Sequence, residues 1–150
     1  MKNLKIKTVG LLLISIMVMI FTGCSKDDDN NVQPNEASPD LKFIGSWSGT
    51  TSQNKSISFS IENIDGKAIV TSYTLQAHVS GGGWSASETK WGTINAQVSN
   101  GSFSYASGSI ELSGVFSGSG SVSGKFKTIS QGPPGYGDGT ASGSYTADNL

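Results

Sequence analysis

The chain has 150 residues, a net charge of −1, 35% hydrophobic residues, Gly 20 and a single cysteine. It contains no arginine, and its lysines are scattered, so the basic surface that neutralises nucleic-acid phosphates is not expected. One cysteine rules out an intramolecular disulfide framework, so the single domain that this length suggests must be held by packing and backbone pairing.

The N-terminus has three parts in order. Lys2, Lys5 and Lys7 make it basic; Val9 to Phe21 is apolar, broken only by Gly10 and Ser15; Thr22 and Gly23 are modest in size and precede Cys24. A basic region, an apolar core and a small-residue cleavage site are the parts of a signal peptide, here residues 1–23. A membrane span needs about 20 apolar residues to cross about 30 Å of hydrocarbon, which this run does not reach. A retained anchor helix is the alternative.

Phe21-Thr22-Gly23-Cys24 resembles the lipobox of bacterial lipoproteins, with Phe21 where that family more often has leucine. The resemblance implies diacylglycerol on the Cys24 thiol, cleavage before Cys24 and acylation of the new amino group. Such chains, at about 0.8 kcal/mol per buried methylene, anchor a small domain to a membrane. Ser25-Lys26-Asp27-Asp28-Asp29 resembles the lysine-plus-acid export signal of surface lipoproteins of Bacteroidota. That implies an outer-membrane protein facing the cell exterior through Lys26, Asp27, Asp28 and Asp29. The alternative is a periplasm-facing domain whose acids only keep the chain solvated. From Cys24 to Asp40 the sequence is polar and without period, so residues 24–40 read as the lipidated cysteine followed by a flexible acidic tether.

From Leu41 the pattern becomes that of an all-β domain, residues 41–150. Short alternating runs are punctuated by Gly, Asn, Asp and Ser, and no helical period appears. Phe43 to Thr51 holds Trp47. Ile57, Phe59 and Ile61 alternate with Ser56, Ser58 and Ser60, and Asp65-Gly66 follows as a turn. Lys67 to Val79 carries Ile69, Tyr73, Leu75, Ala77 and Val79. Gly81 to Gly83 reads as a flexible loop before Trp84. Thr89 to Val98 sets Ile94, Ala96 and Val98 on one face and Trp91, Thr93, Asn95 and Gln97 on the other, before an Asn100-Gly101 hairpin. Runs at Ser102 to Ala106, Ser109 to Phe116, Val122 to Phe126 and Gly139 to Ala147 complete about eight strands.

A glycine stands two residues before an aromatic at Gly45/Trp47, Gly101/Phe103, Gly114/Phe116, Gly124/Phe126 and Gly143/Tyr145. Residues two apart on a strand share a face, so each ring is expected to lean over its own strand's glycine. The expected architecture is an antiparallel meander closed into a small barrel, with a two-layer β-sandwich as the alternative. Gly45-Ser46-Trp47 resembles the Gly-x-Trp opening strand of calycin barrels such as lipocalins and avidins, which also implies a barrel.

Chemistry-bearing residues are sparse. His78 is the only histidine and alternates toward solvent; no partner for acid–base catalysis or metal binding is evident. The acids Glu62, Asp65, Glu88, Glu111, Asp138 and Asp148 are scattered, without calcium-loop spacing, and no phosphate loop or nucleophile elbow occurs. No catalytic residue, metal site or cofactor is therefore expected. Trp84 after three glycines, Trp91 on a polar strand face and Tyr136 in a Pro/Gly loop are the candidate binding residues, suited to a glycan or a partner protein. The expectation is a non-enzymatic surface lipoprotein that binds through exposed aromatics, or alternatively an accessory subunit of an envelope complex.

Overall fold

The structure, a computed structural model, describes residues 38–150. Cys24, Lys26, Asp27, Asp28 and Asp29 lie outside the described residues, as do the expected leader and most of the expected tether. Eight antiparallel strands follow a short 3₁₀ helix, Pro39–Phe43: β1 Gly45–Thr51, β2 Ser56–Ile64, β3 Lys67–Gly81, β4 Trp84–Gln97, β5 Ser102–Ser107, β6 Ile110–Ser117, β7 Ser121–Ser130 and β8 Gly139–Asn149.

Every strand pairs with its chain neighbour except β4 and β5, and β8 returns to pair with β1. The order is therefore β4-β3-β2-β1-β8-β7-β6-β5. A pairing between Ser80 of β3 and Thr140 of β8 closes β1, β2, β3 and β8 into a barrel, to which β4 on one side and β7, β6 and β5 on the other are attached. The fold is an all-β closed barrel, as the alternation and the hairpin-length connections lead one to expect.

The turns explain the meander. Asp65-Gly66, Gly82-Gly83 and Asn100-Gly101 all have positive φ at both central positions. That conformation matches the right-handed twist of paired strands, and Asp, Asn and Gly tolerate it best. The stretch expected to be a flexible loop at Gly81 to Gly83 is thus a tight hairpin, with Gly81 opposite Trp84. β4 accordingly begins at Trp84, several residues earlier than the alternation implies.

One irregularity resets a face. The register of β3 skips Thr71: Ser60 and Ile61 of β2 pair with Ser72 and Val70. Such a bulge inserts a residue and shifts the alternation. Before it Ala68 and Val70 join the core; after it Tyr73, Leu75, Ala77 and Val79 do so. Ile69, expected on the face of Tyr73, is buried but lies outside that core cluster. The Thr71 hydroxyl donates to Glu62 at 3.0 Å.

The interior is dominated by aromatic rings. Phe43 stacks on Phe116 at 4.3 Å between centroids, Trp47 meets Phe116 edge-on at 5.0 Å, and Phe59 approaches Phe103 at 5.5 Å and Tyr145 at 6.2 Å. The fully buried Trp47 indole donates to the Phe43 carbonyl at 3.0 Å, so its one polar group is satisfied. Phe43, expected in the first strand, instead belongs to the 3₁₀ helix. Asp40, on the same helix, accepts from the backbone N–H groups of Asn100 and Gly101 at 3.1 and 2.9 Å. Pro39 and Asp40, at the end of the expected spacer, are therefore part of the packed body.

Of the five glycines expected to be covered by the ring two residues on, Gly114, Gly124 and Gly143 are covered instead by rings across strands, Gly101 faces Phe43 of the 3₁₀ helix, and Gly45 faces Asn149. Tyr73 stands opposite Gly92, Phe103 opposite Gly114, Tyr145 opposite Gly124, and Phe126 opposite Gly143. A Cβ on Gly114 would lie 2.5 Å from the Phe103 ring, and one on Gly143 would lie 3.0 Å from the Phe126 ring. A ring lying flat over a partner glycine shields its peptide, and directly opposed positions are the closest neighbours on a sheet face.

At Gly124 the fit is tightest, because a Cβ would strike both the Tyr145 ring and the Ser113 carbonyl. The Tyr145 hydroxyl donates to that same carbonyl at 3.0 Å. Gly124→Ala is expected to cost about 1–3 kcal/mol through overpacking and to lower Tm by at least about 4 °C. Thermal unfolding followed by near-ultraviolet circular dichroism checks this; an unchanged Tm would mean that the ring and carbonyl give way freely.

Candidate binding faces

The strict alternation that buries the rings also sends small hydroxyl side chains outward, and strand pairing lines them up. Trp91 of β4 stands beside Thr74 of β3, Thr74 beside Ser58 of β2, Ser58 beside Ser48 of β1, and Ser48 beside Asp148 of β8. A second row runs Thr93, Ser72, Ser60 and Ser46. Adjacent strands are about 4.8 Å apart, so these rows form a lattice of hydroxyls at that spacing. Trp91 is 77% exposed at its edge, bordering a shallow groove of about 590 Å³ over β1 to β4.

Trp84 and Tyr136 form a different site. Trp84 has the inward phase of β4 and packs against the core, and its indole N–H donates to the Gly137 carbonyl at 2.7 Å. A Cβ on Gly139 would lie 2.8 Å from the Trp84 ring, so that glycine is required for the close approach. Tyr136, 54% exposed, lies over the β3–β4 turn, with its ring 3.7 Å from where a Gly83 Cβ would stand. Trp84 and Tyr136 thus clasp the turn and the 131–138 loop together. Trp91 points from the opposite face of β4, farther along the strand. The three candidate aromatics do not share one patch, and only Trp91 presents its ring to solvent from regular structure.

Glu111 and Glu88 are held in local ion pairs, and His78 is engaged through its backbone. His78 is exposed; the Gln53 side chain brackets its backbone, accepting from its N–H at 2.8 Å and donating to its carbonyl at 3.3 Å. Glu111 pairs with Lys127 across β6 and β7 at 2.9 Å. Glu88 pairs with Lys90 at 2.9 Å and accepts from Ser130. These two charges have the inward phase of β4, an edge strand. Inward-pointing charges discourage a foreign strand from adding to such an edge. Among the described residues, no three His, Cys, Asp or Glu side chains converge as a metal site, and no helix is long and apolar enough to cross a membrane.

No family model matches the chain, and no curated protein or solved structure is significantly similar to it. The residues that sequence reasoning passed over are the outward hydroxyl rows and the lysines of β7. The alternation of Ser56, Ser58 and Ser60 signals the rows in part, but their alignment across strands depends on register.

The Ser130 hydroxyl, then Lys90, holds the Glu88 carboxyl below its usual 4.5. A carboxylate with a depressed folded pKa contributes stability that is present above the unfolded value and lost as pH falls through the folded one. Stability is therefore expected to fall below about pH 4.5, and Glu88→Gln is expected to flatten that part of the profile. Urea unfolding at stepped pH between about 3 and 7 measures it; parallel profiles for the two proteins would exclude Glu88 as the cause.

Proposed function

We propose that this chain is a non-enzymatic, lipid-anchored surface lipoprotein whose barrel binds a neutral glycan on the outer face of β1 to β4, with Trp91 as the stacking platform. The observation that carries the reading is a 77% exposed indole in mid-strand, bordered by in-register serine and threonine hydroxyls, with no charged side chain among the residues lining its groove. An exposed aromatic face offers an apolar plane to the C–H face of a sugar ring, while hydroxyls donate to and accept from its substituents. One hexose unit is close in size to the strand spacing of about 4.8 Å, so an extended glycan lying across the strands meets a hydroxyl pair at each step.

A protein partner fits this face less well. Protein interfaces are built round an apolar, charge-depleted core with several buried anchors. Here Leu150 is the one aliphatic side chain in the groove.

Anchorage rests on the lipobox-like Phe21 to Cys24 and on the acids after it. Chain expressed in a bacterial host and labelled with a palmitate analogue is expected to carry the label and partition with membranes, whereas Cys24→Ala is expected to be unlabelled. An intact leader or a free thiol on the mature chain overturns the anchored reading.

Glycan binding is tested by tryptophan-fluorescence titration of the full chain in detergent micelles with neutral host and plant polysaccharides. Trp91→Ala is expected to weaken the bound glycan by about 2 kcal/mol, near thirty-fold, without changing Tm. Silence across a broad panel, or an unaltered affinity in Trp91→Ala, overturns the reading.

A further inference from the structure

The other outer face, over β5 to β8, has different chemistry. It carries two of the three lysines that lie in mid-strand among the described residues, Lys125 and Lys127, both on β7 between β6 and β8. Cross-strand neighbours of opposite charge stabilise a sheet by about 0.2–1 kcal/mol. Lys127 follows that rule, with Glu111 directly opposite and 2.9 Å away. Lys125 does not. Its register neighbours are Ser113 on β6 and Ser144 on β8, with Ser104 of β5 beyond Ser113. Among the described residues no carboxylate lies within 4.0 Å of its ammonium group. The other lysines of the body are at turns or strand ends, in the 3₁₀ helix, or, for Lys90, paired with Glu88.

Lys125 also lines a groove of about 510 Å³, bounded at one side by Tyr105. That volume is within the range of about 300–1,000 Å³ typical of small-ligand sites. An ammonium group set among hydroxyls is suited to a ligand that is itself hydroxylated and carries one anionic group. The charge balance narrows the class further. Two lysines against Glu111 leave a net of one positive charge. Docking to an anionic membrane surface uses clusters of about 4–8 basic residues, and nucleic acid requires several phosphates to be neutralised at once. Neither is available here.

We infer that the outer face of β5 to β8 is a second binding site, separate from the Trp91 face, that takes an acidic saccharide by placing its carboxylate on Lys125 and its ring hydroxyls among Ser104, Ser113 and Ser144. Lys127 is held by Glu111 and sets the electrostatic background rather than contacting the anion.

The test compares an oligogalacturonide with its fully methyl-esterified form, which keeps the sugar backbone and removes the charge. Both are titrated calorimetrically against the full chain in neutral detergent micelles. The acid is expected to bind about five-fold more tightly than the ester, in line with a solvent-accessible ion pair. Salt near 1 M, where the screening length is about 3 Å, is expected to erase the difference. Lys125→Gln is expected to abolish the preference and Lys125→Arg to keep it, with both variants matching the native Tm. Equal binding of acid and ester, no binding of either, or a preference that survives in Lys125→Gln overturns the inference. Loss of the preference in Trp91→Ala rather than in Lys125→Gln would place the anion on the other face and overturn it as well. The neutral-polysaccharide titration above judges the Trp91 site independently.

Discussion

Six aromatic rings, Phe43, Trp47, Phe59, Phe103, Phe116 and Tyr145, are drawn from the 3₁₀ helix and from β1, β2, β5, β6 and β8, and they meet inside the barrel. Strands β1 to β4 and β5 to β8 are joined by the β1–β8 ladder, by the single β3–β8 pairing that closes the barrel and by the short turn between β4 and β5. The rings supply the apolar contact that holds the two halves face to face. With no disulfide available, this packing carries a burden that small secreted domains often give to covalent bonds.

The same constraint assigns the outer surface its character. Three inward rings, Phe103, Tyr145 and Phe126, lie so close to the strand opposite that Gly114, Gly124 and Gly143 have no room for a Cβ. With the apolar content committed inward, the outward positions are left to serine, threonine and a few charges. Two of the grooves on the outer faces are accordingly shallow and edged by serine or threonine, one beside Trp91 with no charged side chain in its lining and one beside Lys125.

Much of the fold is legible in the sequence because it depends on local rules. Alternation reveals the strands, and Asp65-Gly66 and Asn100-Gly101 reveal their turns. What stays hidden depends on register. The bulge at Thr71 exchanges the faces of Ile69 and Val70, and no residue type marks it beforehand. The glycine–aromatic pairs are visible as a recurring spacing, yet the rings that cover Gly114, Gly124 and Gly143 come from the next strand, which only pairing determines. The candidate aromatics divide for the same reason: Trp84 and Trp91 sit at opposite phases of one strand, so a longer β4 turns one inward and the other out. Lys125 is unremarked in the sequence because its isolation from carboxylates follows from which serines stand beside it.

Asp40 gives the body a mechanical entry point. Its carboxylate grips the N–H groups of Asn100 and Gly101, at the corner where β4 hands over to β5 with almost no ladder between them. Tension applied from the N-terminal side of Ser38 is therefore passed to the β4–β5 corner before it reaches any strand. Two charge-assisted bonds tie the chain there, one turn ahead of the first residue of β1.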